Sequence, residues 1–218
     1  KQEIIADFGV PADKITVIYN AIDNQKFPPA DEALRQRLRE QYQIPQQAHC
    51  LIFVGSGFER KGLAAAIRAV AATDSHLLVV GKDKAEKRYR ALAQSLSCSD
   101  RVHFMGVQKQ TLPFYQAADA LLLPTLYDPF PNVILEAMSC GLPVITSTTC
   151  GGAEFITPGQ NGFVTDALDV PAIAEAIRAL PRQALGSSMG EAARLRIMPA
   201  TPAHLSEQLI SLYNRLLD

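Results

Sequence analysis

The most constraining feature of this sequence is the alternation of short apolar runs with segments of helical periodicity. Six runs rich in apolar and β-branched residues predict buried strands, at 15–19, 50–55, 76–81, 101–106, 120–125 and 143–147. Five segments between them have apolar positions three or four residues apart and predict helices, at 31–42, 62–72, 85–96, 111–117 and 132–140. Strands that alternate with helices form a parallel sheet with helices on both faces, so we predict an α/β fold with a Rossmann-like sheet.

The C-terminal part of the chain has a different character, because the strand signal fades after Thr149 and helical patterns replace it. Helices are predicted at about 171–180, 187–196 and 203–217, so that residues 181–218 form a helical tail. The last helix carries four leucines at helical spacing: Leu205, Leu209, Leu212 and Leu216. We expect them to pack against this domain or against a missing neighbour. No linker divides the sequence, and residues 1–218 are predicted to form a single domain.

Composition excludes several functional classes. The formal net charge of -1 provides no bulk electrostatic attraction for nucleic acid. The four cysteines lie far apart without metal-ligand spacing, so we predict no metal site and interpret them as buried residues of a reducing cytosol. No apolar run is long enough to span a bilayer. The chain starts at Lys1 without an initiator Met or a signal-peptide pattern, and we therefore expect that an upstream segment has been removed.

The loop at 55–63 follows one of the predicted strands and has features of an anion site. Ligands of such sheets bind outside the carboxyl ends of the strands, where helix N-termini and glycine-rich turns meet. Glycines let this loop approach a ligand closely, and Arg60 and Lys61 precede the next helix, an arrangement that suits a diphosphate. The loop matches neither a P-loop nor a complete dinucleotide fingerprint. A turn with two solvated charges therefore explains the same residues.

Two further turns follow strands, at 81–84 and 106–110. Their backbone groups have the position to contact a base or a ribose at the same edge of the sheet. An ordinary polar turn also explains each segment, so these two turns by themselves do not indicate a ligand. Evidence for a ligand has to come from another loop.

The segment from Asp128 to Glu136 is the most informative of the loops. The two carboxylates are eight positions apart, and a helix is predicted to start near Pro131, where a missing N–H costs little. Two carboxylates that face one cleft can accept hydrogen bonds from a polyhydroxylated ligand, and the free N–H groups of Asn132 and Val133 favour a phosphate or sugar. Taken singly, Asp128 is also explained as a capping or turn residue, and Glu136 as a surface helix carboxylate.

In order and spacing, these segments resemble the C-terminal, donor-binding domain of family 4 retaining glycosyltransferases of the two-Rossmann-domain (GT-B) type. The resemblance covers roughly residues 15 to 180, and its motifs are specific only in combination. They are an Asn-containing entry at 17–23, Arg-Lys-Gly at 60–62, a turn near 79–81, Val-x-Phe-x-Gly at 102–106, Ala-Asp-strand-Pro at 118–124, the acidic pair at 128 and 136, Gly-Gly-x-x-Glu at 151–154, and Asn-Gly at 161–162. Within the family, the closest likeness is to enzymes that glucosylate the lipopolysaccharide core.

The resemblance implies a role for each loop. Lys61 and Arg60, with the turn at Gly55 and Ser56, would hold the donor diphosphate. Glu136 would bind the ribose hydroxyls, and Asp128 would form the catalytic pair with it at the place near the donor sugar where the family usually has Glu. The backbone of four residues would contact sugar hydroxyls or the distal phosphate: Phe130, Pro131, Asn132 and Val133. Two turns would border the base: Gly81 with Lys82, and Gly106 with Val107.

The resemblance also implies an activity. A hexose, with UDP-glucose as the expected donor, would be transferred with retention to a glycan or glycolipid such as lipopolysaccharide core, without a metal or other cofactor. The acceptor-binding N-terminal domain would be missing from this chain, and we expect the isolated piece to be inactive. The whole protein is expected in the bacterial cytoplasm, with peripheral contact to the inner membrane through the missing half. Two alternatives remain: a nucleotide-sugar-binding module without transfer activity, and a GT-B-type epimerase or phosphorylase.

Overall fold

The computed structural model describes residues 1–217, and its centre is a six-stranded sheet whose strands pair in parallel. The strands are β1 (Cys50–Val54), β2 (His76–Val80), β3 (Val102–Gly106), β4 (Ala120–Leu123), β5 (Val144–Ser147) and β6 (Gly162–Thr165). Their order is β3-β2-β1-β4-β5-β6, so the direction of winding reverses between β1 and β4. The predicted Rossmann-like sheet is confirmed.

The helices of residues 1–217 are α1 (Gln2–Phe8), α2 (Glu32–Gln41), α3 (Leu63–Ala71), α4 (Glu86–Ser95), α5 (Leu112–Ala117), α6 (Asn132–Ser139), α7 (Val170–Ala179), α8 (Ser188–Ile197) and α9 (Pro202–Leu217). Two groups of these helices cover the sheet. In one group α3 packs against α4 and α7, and in the other α5 packs against α2 and α6, which also contacts α8. Right-handed crossovers place α3 and α4, between the strands before the reversal, and α6, between the strands after it, on opposite faces, while α7 returns to the face of α3.

Two segments differ from the sequence prediction. The strand predicted at 15–19 is wrong: these residues pair with no strand, and Val17 remains 46% exposed, since alternation of apolar residues cannot supply a neighbour to pair with. Conversely, residues 162–165 form the edge strand β6 beside β5. The sequence signal for β6 is weak because the strand has four residues and begins with Gly162.

A buried ion cluster fixes α2 at the edge of the sheet opposite to the strands' carboxyl ends. Asp119 is fully buried immediately before β4 and accepts from the Arg39 guanidinium at 2.7 Å and from the backbone N–H of Cys50 at 2.8 Å. Arg35 pairs with the other carboxylate oxygen. Charges buried at this depth persist only when they are paired and hydrogen-bonded, so this cluster anchors α2 across β1 and β4.

The C-terminal helix α9 forms where helical spacing predicts it, but it contains no buried residue, and Leu216 is 73% exposed. Its leucines therefore do not complete the core of this chain. The four cysteines, by contrast, are reduced and buried as predicted: Cys50, Cys98, Cys140 and Cys150. Within residues 1–217, no helix combines the length and apolar character that a bilayer span requires.

Candidate functional site

Backbone contacts join the strand-end loops into one surface at the carboxyl edge of the sheet. The N–H of Gly55, after β1, donates to the Val80 carbonyl at 2.9 Å, and the N–H of Gly81, after β2, donates to the Gly106 carbonyl at 2.8 Å. Gly62 has a φ of +78°, and a Cβ there would overlap the Pro124 carbonyl after β4. The loops of β1 and β4 therefore meet at the reversal of strand order, where ligands of such sheets bind.

Asp128 forms an ion cluster with Arg60 and Lys61, the two cations of the loop at 55–63. The sequence analysis assigned separate roles to these residues and did not predict their contact. The Lys61 Nζ lies 3.2 Å and the Arg60 Nη1 lies 3.0 Å from the same Asp128 oxygen, Oδ2. Arg60 also donates to the Tyr127 carbonyl at 2.7 Å. The Lys61 side chain is 11% exposed, whereas that of Arg60 is 50% exposed. The cluster thus presents one net positive charge at the sheet reversal.

Helix α6 starts beside this cluster with its first N–H groups uncapped by a side chain. Its N-cap residue is Pro131, so Asp128 does not cap it, and the capping interpretation of Asp128 is wrong. The structure brings Asn20 to this helix end: its Nδ2 donates to Oδ1 of Asn132 at 2.7 Å. An uncapped helix N-terminus favours an anion or a sugar hydroxyl oxygen.

An aromatic cluster supports the same helix end. The ring of Phe130 lies 5.8 Å from that of Tyr19 and 5.4 Å from that of Phe155, between centroids. The Tyr19 hydroxyl donates to the Glu154 carboxylate, and this hydrogen bond raises the pKa of Tyr19. The sequence analysis did not identify Tyr19, Asn20 or Glu154 as site residues. All three lie in segments that had served only as family markers, at 17–23 and 151–154, and that signal could have identified them.

Glu136, in the second turn of α6, is half-buried and has no cation beside it. Its Oε2 accepts from the Tyr115 hydroxyl at 2.8 Å. Burial raises the pKa of Glu136, and hydrogen bonds from the hydroxyls of Tyr115 and Thr111 oppose that rise. Glu136 is therefore not the solvated helix carboxylate of the alternative interpretation. It shares no hydrogen-bond or ion-pair partner with Asp128.

The turn at 81–84, one of the two turns predicted near a base, adjoins the loop at 55–63. Asp83 accepts from the backbone N–H of Phe58 at 2.9 Å, which ties the turn at 81–84 to the loop at 55–63. Hydrogen bonds from the Ala85 and Phe58 amides lower the pKa of Asp83. In these turns Lys82 is exposed and Val107 is 62% exposed. Asp83 was not identified from the sequence as a site residue, although its position after a strand-end glycine is typical of a turn-forming aspartate.

Residues 1–217 contain no group of three or more His, Cys, Asp or Glu side chains placed to hold an ion.

Comparison with known proteins gives a consistent set of relatives. The family model described as "Glycosyl transferases group 1" matches residues 35–196. The lipopolysaccharide glucosyltransferase WaaG of Escherichia coli (strain K12) is 37% identical over 136 residues, which are 60% of this chain. Only 36% of the length of that protein is covered, so the chain spans a minor part of this relative.

Solved structures share the fold over nearly the whole chain. A crystal structure of WaaG, described as a glycosyltransferase involved in lipopolysaccharide biosynthesis, superposes with a TM-score of 0.77 at 29% identity and covers 95% of this chain and 60% of its own. The structure of Anabaena HepE in complex with UDP-glucose superposes with a TM-score of 0.81 at 22% identity, covering 98% of this chain and 61% of its own. At that identity, the second likeness concerns the fold alone.

Proposed function

This chain belongs to group 1 of the glycosyl transferases, and from that membership we propose that it is the donor-binding domain of a retaining, family 4 enzyme. The domain would form the C-terminal half of a GT-B architecture and bind a nucleoside diphosphate hexose. The observation that carries the proposal is the position of Lys61 and Arg60, at the reversal of strand order and beside the uncapped start of α6.

The first proposed role is stabilisation of the leaving diphosphate. When the bond between the anomeric carbon and the diphosphate breaks, negative charge accumulates on the phosphate oxygens. Fixed positive groups that already point at this position lower the barrier, because they need no reorganisation. Such groups are supplied by the side chains of Lys61 and Arg60 and by the N–H groups of Asn132 and Val133 at the start of α6. The backbone of the turn at Gly55 and Ser56 would contact the diphosphate as well. The scheme requires neither a metal nor another cofactor.

Asp128 gives this site a built-in counter-ion. A diphosphate that approaches Lys61 and Arg60 competes with the Asp128 carboxylate, which accepts from both cations through one oxygen. We propose that Asp128 then turns towards the hydroxyls of the donor sugar, since a carboxylate can accept from two donors. Glu136 would accept from the ribose hydroxyls, and the turns at Gly81 with Lys82 and at Gly106 with Val107 would border the base.

The identity of the donor and acceptor is proposed from the relatives. A glucosyltransferase of lipopolysaccharide is 37% identical over part of the chain, and a protein of the same fold holds UDP-glucose. We therefore propose UDP-glucose as the donor and a lipopolysaccharide core glycan as the acceptor. The acceptor would bind to a second domain, and the whole enzyme would work in the cytoplasm at the inner membrane.

The second candidate is a nucleotide-sugar-binding module that transfers nothing on its own. It is favoured by one observation: the chain covers only 36% of the length of its E. coli relative. Incubation of the chain with UDP-glucose and lipopolysaccharide core tests whether this chain is sufficient for transfer, and glucosylated product would contradict the second candidate.

Calorimetric titration with UDP and UDP-glucose tests the donor site. Lys61→Ala and Glu136→Ala are each expected to weaken binding by roughly 1–3 kcal/mol, the loss of one charge-assisted contact. Two exposed residues on other helices provide matched controls: Lys87→Ala in α4 and Glu175→Ala in α7, with unchanged affinity. Wild-type affinity in both site variants would contradict the proposal.

A thermal-shift panel of nucleoside diphosphate sugars, with UDP-glucose as the expected strongest stabiliser, then identifies the donor.

A further inference from the structure

We propose that Tyr115 is a positioning residue that holds the Glu136 carboxylate in the orientation required by the ribose of the donor. The inference rests on the proposed function, in which Glu136 binds that ribose. Its geometric basis is the hydrogen bond of 2.8 Å from the Tyr115 hydroxyl to Oε2 of Glu136. This bond joins α5 to α6, two helices that pack against each other.

Tyr115 is built as a rigid support. Its side chain is fully buried, and its ring meets that of Phe27 edge to face, with 6.2 Å between centroids. Because α5 also packs against α2 and β1, the hydroxyl has little freedom to leave the carboxylate. The Glu136 side chain, with three rotatable bonds, would otherwise sample several rotamers, so a fixed donor reduces the entropy lost when the ribose binds.

The hydrogen bond also favours the ionised form of Glu136. The groups that face this carboxylate are the hydroxyls of Tyr115 and Thr111 and the thiol of Cys140, the residue that follows the last residue of α6. Burial raises the Cys140 pKa well above its usual range, so this thiol stays neutral. No cation pairs with Glu136 among the ion pairs of residues 1–217, and hydroxyl donors therefore oppose the effect of burial on its pKa. A hydrogen bond to an ionised acceptor is stronger than one between neutral groups.

The position of α5 connects this support to the base. The helix follows directly after the turn at 106–110, and its N-cap is Thr111. The turn proposed to border the base therefore leads directly into α5, the helix whose Tyr115 hydroxyl orients the ribose-binding carboxylate. Such a connection fixes the distance between the two parts of a nucleoside site.

The test compares UDP affinity by calorimetry between pH 5.5 and 8.5 for wild type, Tyr115→Phe, Glu136→Gln and the double variant. In Tyr115→Phe we expect binding about fivefold weaker at pH 5.5, corresponding to one lost hydrogen bond, and a smaller loss at pH 8.5. Loss of the donor raises the Glu136 pKa further, so protonation reaches a higher pH. Titration of UDP itself cancels in the ratio of the two affinities. In the Glu136→Gln background, the Tyr115→Phe effect should lose its pH dependence.

Tyr89→Phe is the matched control, since Tyr89 in α4 is buried and packs its ring against Phe58, while its hydroxyl makes no hydrogen bond within residues 1–217, and its UDP affinity should equal that of wild type at every pH. A Tyr115→Phe loss that is the same at every pH indicates a purely structural role and overturns the inference alone. A wild type that binds no UDP overturns the proposed function, and the two failures are thereby distinguished. Retained cooperative urea unfolding verifies that each variant folds.

Discussion

Asp128 and Glu136 occur eight residues apart in one motif, yet their surroundings are opposite. Asp128 is buried between Lys61 and Arg60, whereas Glu136 is half-buried against the Tyr115 hydroxyl without a cation. The first carboxylate helps to hold the folded site together, because its charge is compensated. The second has no cation to compensate its charge, and burial raises its pKa, a condition that is typical of groups at functional sites.

The largest effect on stability is expected from Asp128→Ala. Removal of this carboxylate leaves the buried Lys61 without a counter-ion, and the free energy of unfolding should fall by about 2–3 kcal/mol, below the cost for a fully enclosed pair because Arg60 reaches solvent. Urea denaturation measures the loss. The control is Asp74→Ala, which removes an exposed pair with Arg182 and should cost less than about 1 kcal/mol. Equal losses would contradict the distinction between a buried and an exposed pair.

A smaller effect of the opposite sign is expected from Glu136→Gln, and it depends on pH. The folded-state pKa of Glu136 is raised, so the folded state holds the proton more tightly and stability falls as the pH rises through that pKa. The amide can still accept from Tyr115 and carries no charge to desolvate. The variant should therefore match wild type near pH 4 and be more stable at pH 8, by less than about 1 kcal/mol. Thermal unfolding at both pH values measures it, and a destabilised variant at pH 8 would disprove the assignment.

The smallest effect on stability is expected from Asp128→Glu, which keeps the charge and adds one methylene. Unfolding free energy should change by less than about 1 kcal/mol, since both cations retain a partner. In the proposed donor site the longer side chain would reach further towards the sugar, and we expect a changed order of preference in a panel of UDP-hexoses with nearly unchanged UDP affinity. An identical order would show that the length of this side chain does not select the sugar.

Local patterns predicted the sheet because buried strands are continuous apolar runs, and five of the six observed strands lie inside runs identified from the sequence. The same kind of pattern gave a wrong strand prediction for residues 15–19, because no neighbouring strand is present there for these residues to pair with. The contacts that define the site join distant positions: Tyr115 with Glu136 across 21 residues, and Asn20 with Asn132 across 112. Periodicity carries no information on such pairs. The cluster of Asp128 with Lys61 was predictable in principle, since opposite charges lay on two loops at one edge of the sheet.

The direct meeting of backbone at Gly62 and Pro124 has a practical consequence for mutagenesis libraries. Substitutions at Gly62 are not expected to give folded variants, because even the Cβ of alanine would overlap the Pro124 backbone carbonyl, which no change of rotamer can move. A library aimed at a new donor specificity is better spent on the exposed Tyr127 beside Asp128, where a new side chain has room. The backbone contact at Gly62 can thus be kept constant while Tyr127 is varied.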